Sequence, residues 1–453
     1  MSCPPRACRR PGTNYPLTGG TGPAYIGPAE RMSCRPSISL SLRREDGTVS
    51  GMKDTAKESG RCQAGGNAGE RLFTPDFVFA TMANFANAFG MQMLVATLPV
   101  YVISLGGSQA DAGLVSGALA FTALLFRPLV GWLTDAWRRR PLVLIGTSCY
   151  GFACAVYLAA GSIPLLLLGR FVHGFGLSCY TTAANAYVAD IAPLKRRAEA
   201  MGLFAAAQAF GLIIGPVIGF MLIASTGFAH LFYFSGGLAF TAFAISIFAR
   251  ERRHPADIKR HPWSLRTGIV AVDALPAAWM ALCMGMAFGT IGAFISIFAQ
   301  SRGIENPGFY FMAQAIALLV SRTFAGRIAD RHGRAAAIVP GIVLMAAALA
   351  LLPWAYGPAP FGVSASLFGL GFGTAQPATM ALLIDRVRPE QRGLATGTYF
   401  TGFDAGISIG SILLGIVGQY WGFGVMWLLS AACTLLSFAG LLADHRRPGR
   451  AAA

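Results

Sequence analysis

Ser321–Arg334 reads SRTFAGRIADRHGR and lies deep in a chain that is otherwise mostly apolar. A looser copy, FRPLVGWLTDAWRRR, occupies Phe126–Arg140. Arg127 and Arg322 are 195 positions apart, and the same offset carries Gly131 onto Gly326, Asp135 onto Asp330 and Arg139 onto Arg334. It also places Gly174 and Gly176 on Gly369 and Gly371, Asp190 on Asp385, Arg197 on Arg392, and Gly202 on Gly397. Gly211 and Gly215 land on Gly406 and Gly410. One ungapped register of this length identifies two related halves.

The 453 residues are 54% hydrophobic and 12% charged, against about 25% charged in soluble domains. The apolar residues come in blocks of roughly 20, the length of a bilayer-spanning helix. Period-2 alternation with regular turn punctuation is absent, which argues against a β-barrel. The expectation is an all-α membrane protein with twelve transmembrane helices in two parallel six-helix repeats. The spans fall near 77–104, 112–134, 141–161, 164–190, 199–222, 227–249, 276–300, 307–326, 336–356, 358–384, 394–417 and 421–443. Six spans per half is an even number, so both halves enter from one side.

The net charge of +16 could point to nucleic acid, but its placement is topological. Of 36 Lys and Arg, 32 fall in the tails and the even-numbered links, and one, Arg302, in the odd-numbered links. Arg127, Arg170 and Arg322 lie inside spans. Such a split follows the positive-inside rule and puts both termini in the cytoplasm; by analogy, the short links and small size suit a bacterial inner membrane. The expected organisation is a disordered basic tail over 1–71, a six-helix bundle over 72–249, a cytoplasmic linker over 250–275, a second bundle over 276–443 and a tail over 444–453. Residues 1–71 contain no apolar run and hence no signal peptide; Met52 is an alternative start to Met1. The nine cysteines show no ligand spacing, so no metal is expected.

The doubled segment resembles the major facilitator superfamily, in particular its drug:proton antiporter-like efflux members. That family carries G-x-x-x-D-R-x-G-R between spans two and three. Gly326, Asp330, Arg331, Gly333 and Arg334 match in full; the first copy keeps Gly131, Asp135 and Arg139 but has Ala136 and Arg138 at the other two places. The resemblance covers roughly residues 74–443 and implies alternating access to a central cavity lined by spans one, four, seven and ten. It implies that Asp135 meets span eleven of the other half and holds the cytoplasmic side shut. Gly131 and Gly326, lacking side chains, would let another helix come close.

In span five, GLIIGPVIGF keeps Gly211, Gly215, Pro216 and Gly219 and resembles the family's antiporter signature, with Phe220 in place of its last glycine. That signature favours export. RFVHGFG in span four supplies Arg170 and His173; the resemblance ties the arginine to proton transfer, and an unperturbed imidazole titrates near working pH. A structural, hydrogen-bonded His173 is the equal alternative. Asp404 is the only acid near the middle of a span, and its repeat counterpart is Ala209. Arg127 lies about 12 Å from the helix end marked by Asp135, and Asp404 about 15 Å into span eleven, so the depths agree. An Arg127–Asp404 pair between the halves is expected, weakened when Asp404 takes a proton; a static packing pair is the alternative.

Asn84, Asn87 and Gln92 in span one, with Thr181 and Asn185 in span four, are the candidate cavity polar groups. Met284, Met286, Phe288, Phe294 and Phe368 are candidates for an adaptable apolar wall. The expected partners are a small-molecule substrate, protons and the lipid bilayer, with no nucleic acid, the chain working as a monomer. No cofactor is expected: ATP-driven transport would require a P-loop, and none occurs. Nor does one intramembrane histidine without ligand partners make an enzyme. The leading function is proton-coupled export of small organic or amphipathic molecules; the alternative is uptake of a sugar or organic acid by symport or facilitated diffusion.

Overall fold

The computed structural model describes residues 72–193, 196–250, 271–388 and 391–445, with the side chains of Asp135 and Ala198 outside that description. The expected tail over 1–71 and all but the edges of the expected linker therefore lie outside it. Twelve helices follow in order: α1 (Pro75–Ser104), α2 (Gln109–Ala136), α3 (Arg139–Ala159), α4 (Ile163–Ile191), α5 (Arg197–Thr226), α6 (Phe228–Phe248), α7 (Leu275–Ser301), α8 (Gly308–His332), α9 (Arg334–Leu351), α10 (Pro358–Arg386), α11 (Arg392–Leu435) and α12 (Ser437–His445).

Local sequence sets several boundaries. Thr74 caps α1 through its hydroxyl, with Pro75 at the first helical position. Ser108 and Asp111 form a reciprocal capping box at the start of α2. Eleven helical stretches are long and apolar enough to cross a membrane, and the last, Arg392–His445, runs to 54 residues. That is about 80 Å at helical rise, far beyond the ~30 Å hydrocarbon core. Gly422 breaks it, with φ 79° and ψ 166° inside α11. The two legs, 392–421 and 423–445, each cross once, giving twelve crossings. Gly227, between α5 and α6, has φ 83° and ψ 177°, and it lies 195 positions before Gly422. The register of the repeat thus includes a one-residue turn that only glycine adopts without strain.

The twelfth crossing outlasts the sequence expectation by two residues. Asp444, expected in a tail, is in α12 and meets Arg386 of α10 at 2.9 Å. Arg302, the lone basic residue of the odd-numbered links, lies over the Tyr356 ring at 4.0 Å and donates to the Pro353 carbonyl.

Glycine faces hold the inner helices together. Gly211 and Gly215 of α5 lie against the backbone of Phe89 in α1, and Gly219 beside Thr97. Their counterparts Gly406 and Gly410 lie against the carbonyls of Leu282 and Met286 in α7. Where α5 comes this close, Asn84 of α1 donates to the Phe204 carbonyl at 2.9 Å and is buried. Asn84 is therefore a helix–helix group and not a cavity group, a correction to the sequence expectation.

A methyl on Gly406 would overlap the Leu282 carbonyl oxygen, whereas one on Gly397 of the same helix would meet nothing within 4 Å. Gly406→Ala should cost about 1–3 kcal/mol, and Gly397→Ala should be neutral or slightly stabilising. Thermal unfolding of the purified variants checks both.

Candidate functional site

The contacts between the two halves concentrate at the end of the molecule remote from the basic links. Gly113 of α2 lies against the Ser411 backbone of α11, and Ser408 donates to the Gly117 carbonyl at 3.1 Å. The Gln109 amide donates to Gln419 at 3.0 Å. On the other flank Gly308 of α8 lies against the Val217 backbone of α5. At the basic end the glycines Gly131, Gly326, Gly202 and Gly397 have no described atom within 4 Å of a would-be Cβ. So Gly131 and Gly326 do not act as close-approach points here, contrary to the sequence expectation: the halves part toward the basic end, and the inner helices splay there.

At mid-depth one ion pair bridges the gap. Arg127 Nη2 of α2 meets Asp404 Oδ2 of α11 at 2.6 Å. The side chain of Arg127 is a quarter exposed and that of Asp404 is 11% exposed. A carboxylate and a guanidinium at this depth are costly singly and tolerable as a pair. Among the described ion pairs, it is the one that joins the two halves.

Below it, each half ties its own basic end. Arg139 Nε meets Asp190 Oδ2 at 2.6 Å, joining α3 to α4. The 195-residue counterparts repeat it: Arg334 Nε meets Asp385 at 2.9 Å, and its Nη1 meets Asp330 at 2.5 Å. Asp135 lies in α2 with its side chain outside the described residues, so the expected contact to α11 lies there too. Gly333, at φ 89°, turns α8 into α9, whereas Arg138 at the equivalent place has φ −76°. The first copy turns in extended backbone, which needs no glycine, and this accounts for its departure from the motif. Arg331 is exposed beside this turn.

Arg170 and His173 form a separate cluster inside the first half. Arg170 is 1% exposed, with its guanidinium carbon 5.9 Å from the Tyr157 ring centroid. Its Nε and Nη1 find no hydrogen-bond acceptor among the described residues. His173 Nδ1 is 3.2 Å from the Tyr157 hydroxyl, and its ring stacks on Tyr150 at 4.7 Å. Tyr150 in turn shares a hydrogen bond with Ser235 at 2.5 Å, and Ser235 donates to the Gly90 carbonyl. All of these partners belong to α1, α3, α4 and α6, so the structure does not bring Arg170 and His173 to the Arg127–Asp404 pair.

The other polar candidates are mixed. Asn87 is buried and Gln92 half-buried. Asn185 is exposed and donates to the Thr181 carbonyl, while Thr181 donates to Leu177. Met284, Phe294 and Phe368 are fully buried packing residues. Phe288, by contrast, joins Phe372 and Phe403 in a triangle of rings 5.2 to 6.0 Å apart, and Phe403 immediately precedes Asp404. Sequence reading missed this triangle, because Phe372 and Phe403 carry no spacing signal. It also missed the Arg139–Asp190 and Arg334–Asp385 bridges, although their shared offset was visible.

The family description Major Facilitator Superfamily matches residues 80–321 and 278–453. The chain is 24% identical over 365 residues to an uncharacterised MFS-type transporter of Methanocaldococcus jannaschii, covering 78% of this chain and 94% of that protein. It is 26% identical over 376 residues to the multidrug resistance protein MdtG of Serratia proteamaculans, covering 79% and 90%. The solved structure of the nucleoside transporter NupG superposes with a TM-score of 0.67 at 15% identity, covering 82% of this chain and all of that one.

Removing one member of the mid-depth pair leaves the other charge without its partner. Arg127→Gln and Asp404→Asn should each lower the thermal unfolding midpoint, and the double variant should recover part of the loss. The expected interaction energy is about 1–3 kcal/mol, read from tryptophan fluorescence during melting.

Proposed function

Since this chain belongs to the major facilitator superfamily and is a transporter, we propose that it exports small organic or amphipathic molecules in exchange for protons. The observation that carries the reading is the Arg127–Asp404 ion pair at 2.6 Å, which joins α2 of one half to α11 of the other. A proton on Asp404 neutralises the carboxylate and removes the Coulomb attraction across the gap. Asp404 takes that proton while the remote end is open and carries it through the swing that closes the remote end and opens the basic one, so the proton moves opposite to the exported cargo. Loss of the proton to the basic side restores the pair and gives the form described, which then loads cargo from that side. The relative named as a multidrug resistance protein supports an export role and an amphipathic cargo. The aromatic triangle of Phe288, Phe372 and Phe403 would supply the apolar surface for it.

In this reading the basic end is cytoplasmic, as the 32-to-one distribution of Lys and Arg argues. The gating motif works at that end. Arg139–Asp190 and Arg334–Asp385 brace each half as a unit, and Gly131 and Gly326 meet helices of the opposite half only when the basic end closes. The glycine and proline face of Gly211, Gly215, Pro216 and Gly219 keeps α5 against α1 throughout the cycle. His173 holds Tyr157 and Tyr150 in place within the first half. The protein works as a monomer in a bacterial inner membrane.

Pump-deficient bacteria expressing the protein should accumulate less of a fluorescent lipophilic cation than empty-vector cells, and a protonophore should abolish the difference. Asp404→Asn at equal expression should accumulate as much as the empty vector. Retained uphill export by that variant would place coupling elsewhere, and accumulation above the vector level in the wild type would reverse the direction. A second variant probes the gate. A Cβ at Gly131 has no described atom within 4 Å, so Gly131→Leu should melt close to the wild type, while its export should fall severalfold because the basic end cannot close.

A further inference from the structure

The α2–α11 and α5–α8 interfaces are copies of each other under the 195-residue offset. Gly113 of α2 lies against the Ser411 backbone; its counterpart Gly308 of α8 lies against Val217, the neighbour of Pro216, which is Ser411's counterpart. The two helices are also turned alike within their own halves. Thr122 of α2 lies against Gly174, and the counterparts Ala317 and Gly369 repeat that contact. Fourteen residues after Gly113, Arg127 reaches Asp404. Fourteen residues after Gly308 stands Arg322, and the place equivalent to Asp404 is taken by Ala209.

Arg322 thus stands where one half of an ion pair would, and the other half is missing among the described residues. Ala209 and Asp404 are equally buried, at 8% exposure each. Arg322 is exposed, and no described residue gives it an acidic or hydrogen-bonding partner. It lies eight residues before Asp330, about 12 Å inside the helix end. A guanidinium at that depth is costly unless it faces water or an anion. The shared rotation of α2 and α8 turns it into the gap between the halves, where Arg127 also points. Opposite, the α5 segment FAAAQAF, residues 204–210, offers alanines, Gln208 and two phenylalanines but no acid.

We propose that Arg322 binds a carboxylate of the transported molecule. The substrate supplies the anion that Ala209 lacks, and the α5–α8 interface then carries the same charge contact as α2–α11. Guanidinium and carboxylate match in two parallel hydrogen bonds, which fixes the orientation of the bound group. The inference rests on the transporter reading and adds that, within an amphipathic cargo range, molecules that bear a carboxylate, anionic or zwitterionic, are bound preferentially.

The test is direct binding without a proton gradient, so its outcome is independent of the Asp404→Asn export assay. The full chain in phosphatidylcholine nanodiscs is titrated with 1-pyrenebutyrate and with its methyl ester, followed by pyrene fluorescence. Wild type should bind the acid about ten- to a hundredfold tighter than the ester, the range of a charged hydrogen bond. Arg322→Gln should bring the acid down to the ester's affinity, and Arg322→Lys should keep most of the preference. Ala209→Asp should lower acid binding, leave the ester unchanged and raise the melting temperature, which shows that the variant is folded. Equal affinity of acid and ester for wild type, absence of binding included, overturns the proposal, as does a preference that survives Arg322→Gln. Loss of the preference in phosphatidylglycerol nanodiscs would assign Arg322 to a lipid headgroup and overturn it as well.

Discussion

Backbone lying on backbone is the contact on which this architecture depends. In lipid no water is expelled when helices meet, so association comes from shape and close packing. Glycine supplies both here. Gly211 and Gly215 bring α5 onto α1, Gly406 and Gly410 bring α11 onto α7, and Gly113 and Gly308 bring one half onto the other. Each contact puts a Cα where a side chain would collide with a carbonyl or amide. The Asn84 bond to the Phe204 carbonyl and the Ser408 bond to the Gly117 carbonyl exist because the main chains are within reach.

On this symmetric scaffold the charges are distributed asymmetrically. Both halves keep an Arg–Asp bridge at the basic end, Arg139–Asp190 and Arg334–Asp385. At mid-depth both keep the arginine, but only α11 has an acid to meet it. A duplicated fold presents every group twice unless one copy is altered, so the places where the copies differ are where the two interfaces stop being interchangeable. Asp404 against Ala209, and Ser411 against Pro216, are two such places on the same pair of helices.

The repeat, the twelve crossings and the depth match of Arg127 with Asp404 were legible in the sequence because each follows from counting along helices of fixed rise. The Arg127–Asp404 pair needed only that two helices face each other at equal depth. What was not legible depends on rotation about the helix axis and on partners distant in sequence. Spacing alone put Asn84 on a face with Asn87 without revealing which neighbour that face meets, and α5 proved to be that neighbour. Arg170 and His173 carry chemistry that suits proton transfer, yet both are buried against Tyr150 and Tyr157 of α3. The clustering of Phe288, Phe372 and Phe403 joins three helices and has no signature in any one of them. Gly131 and Gly326 show a further limit: a glycine kept for close approach stands in open space in a conformation where the approach has not been made.

Gly227 and Gly422 carry a mechanical consequence. A turn of one residue, held at φ 83° and 79°, leaves no slack between α5 and α6 or between the two legs that meet at Gly422. The helices that touch the opposite half are therefore joined rigidly, at one end, to outer helices that expose large apolar side chains such as Tyr233, Phe240, Leu428 and Leu436. Any swing of α5 or α11 drags that outer surface through lipid. The drag on the moving parts then comes from the bilayer as well as from water, and the viscosity of the surrounding lipid enters the rate at which the two halves exchange positions.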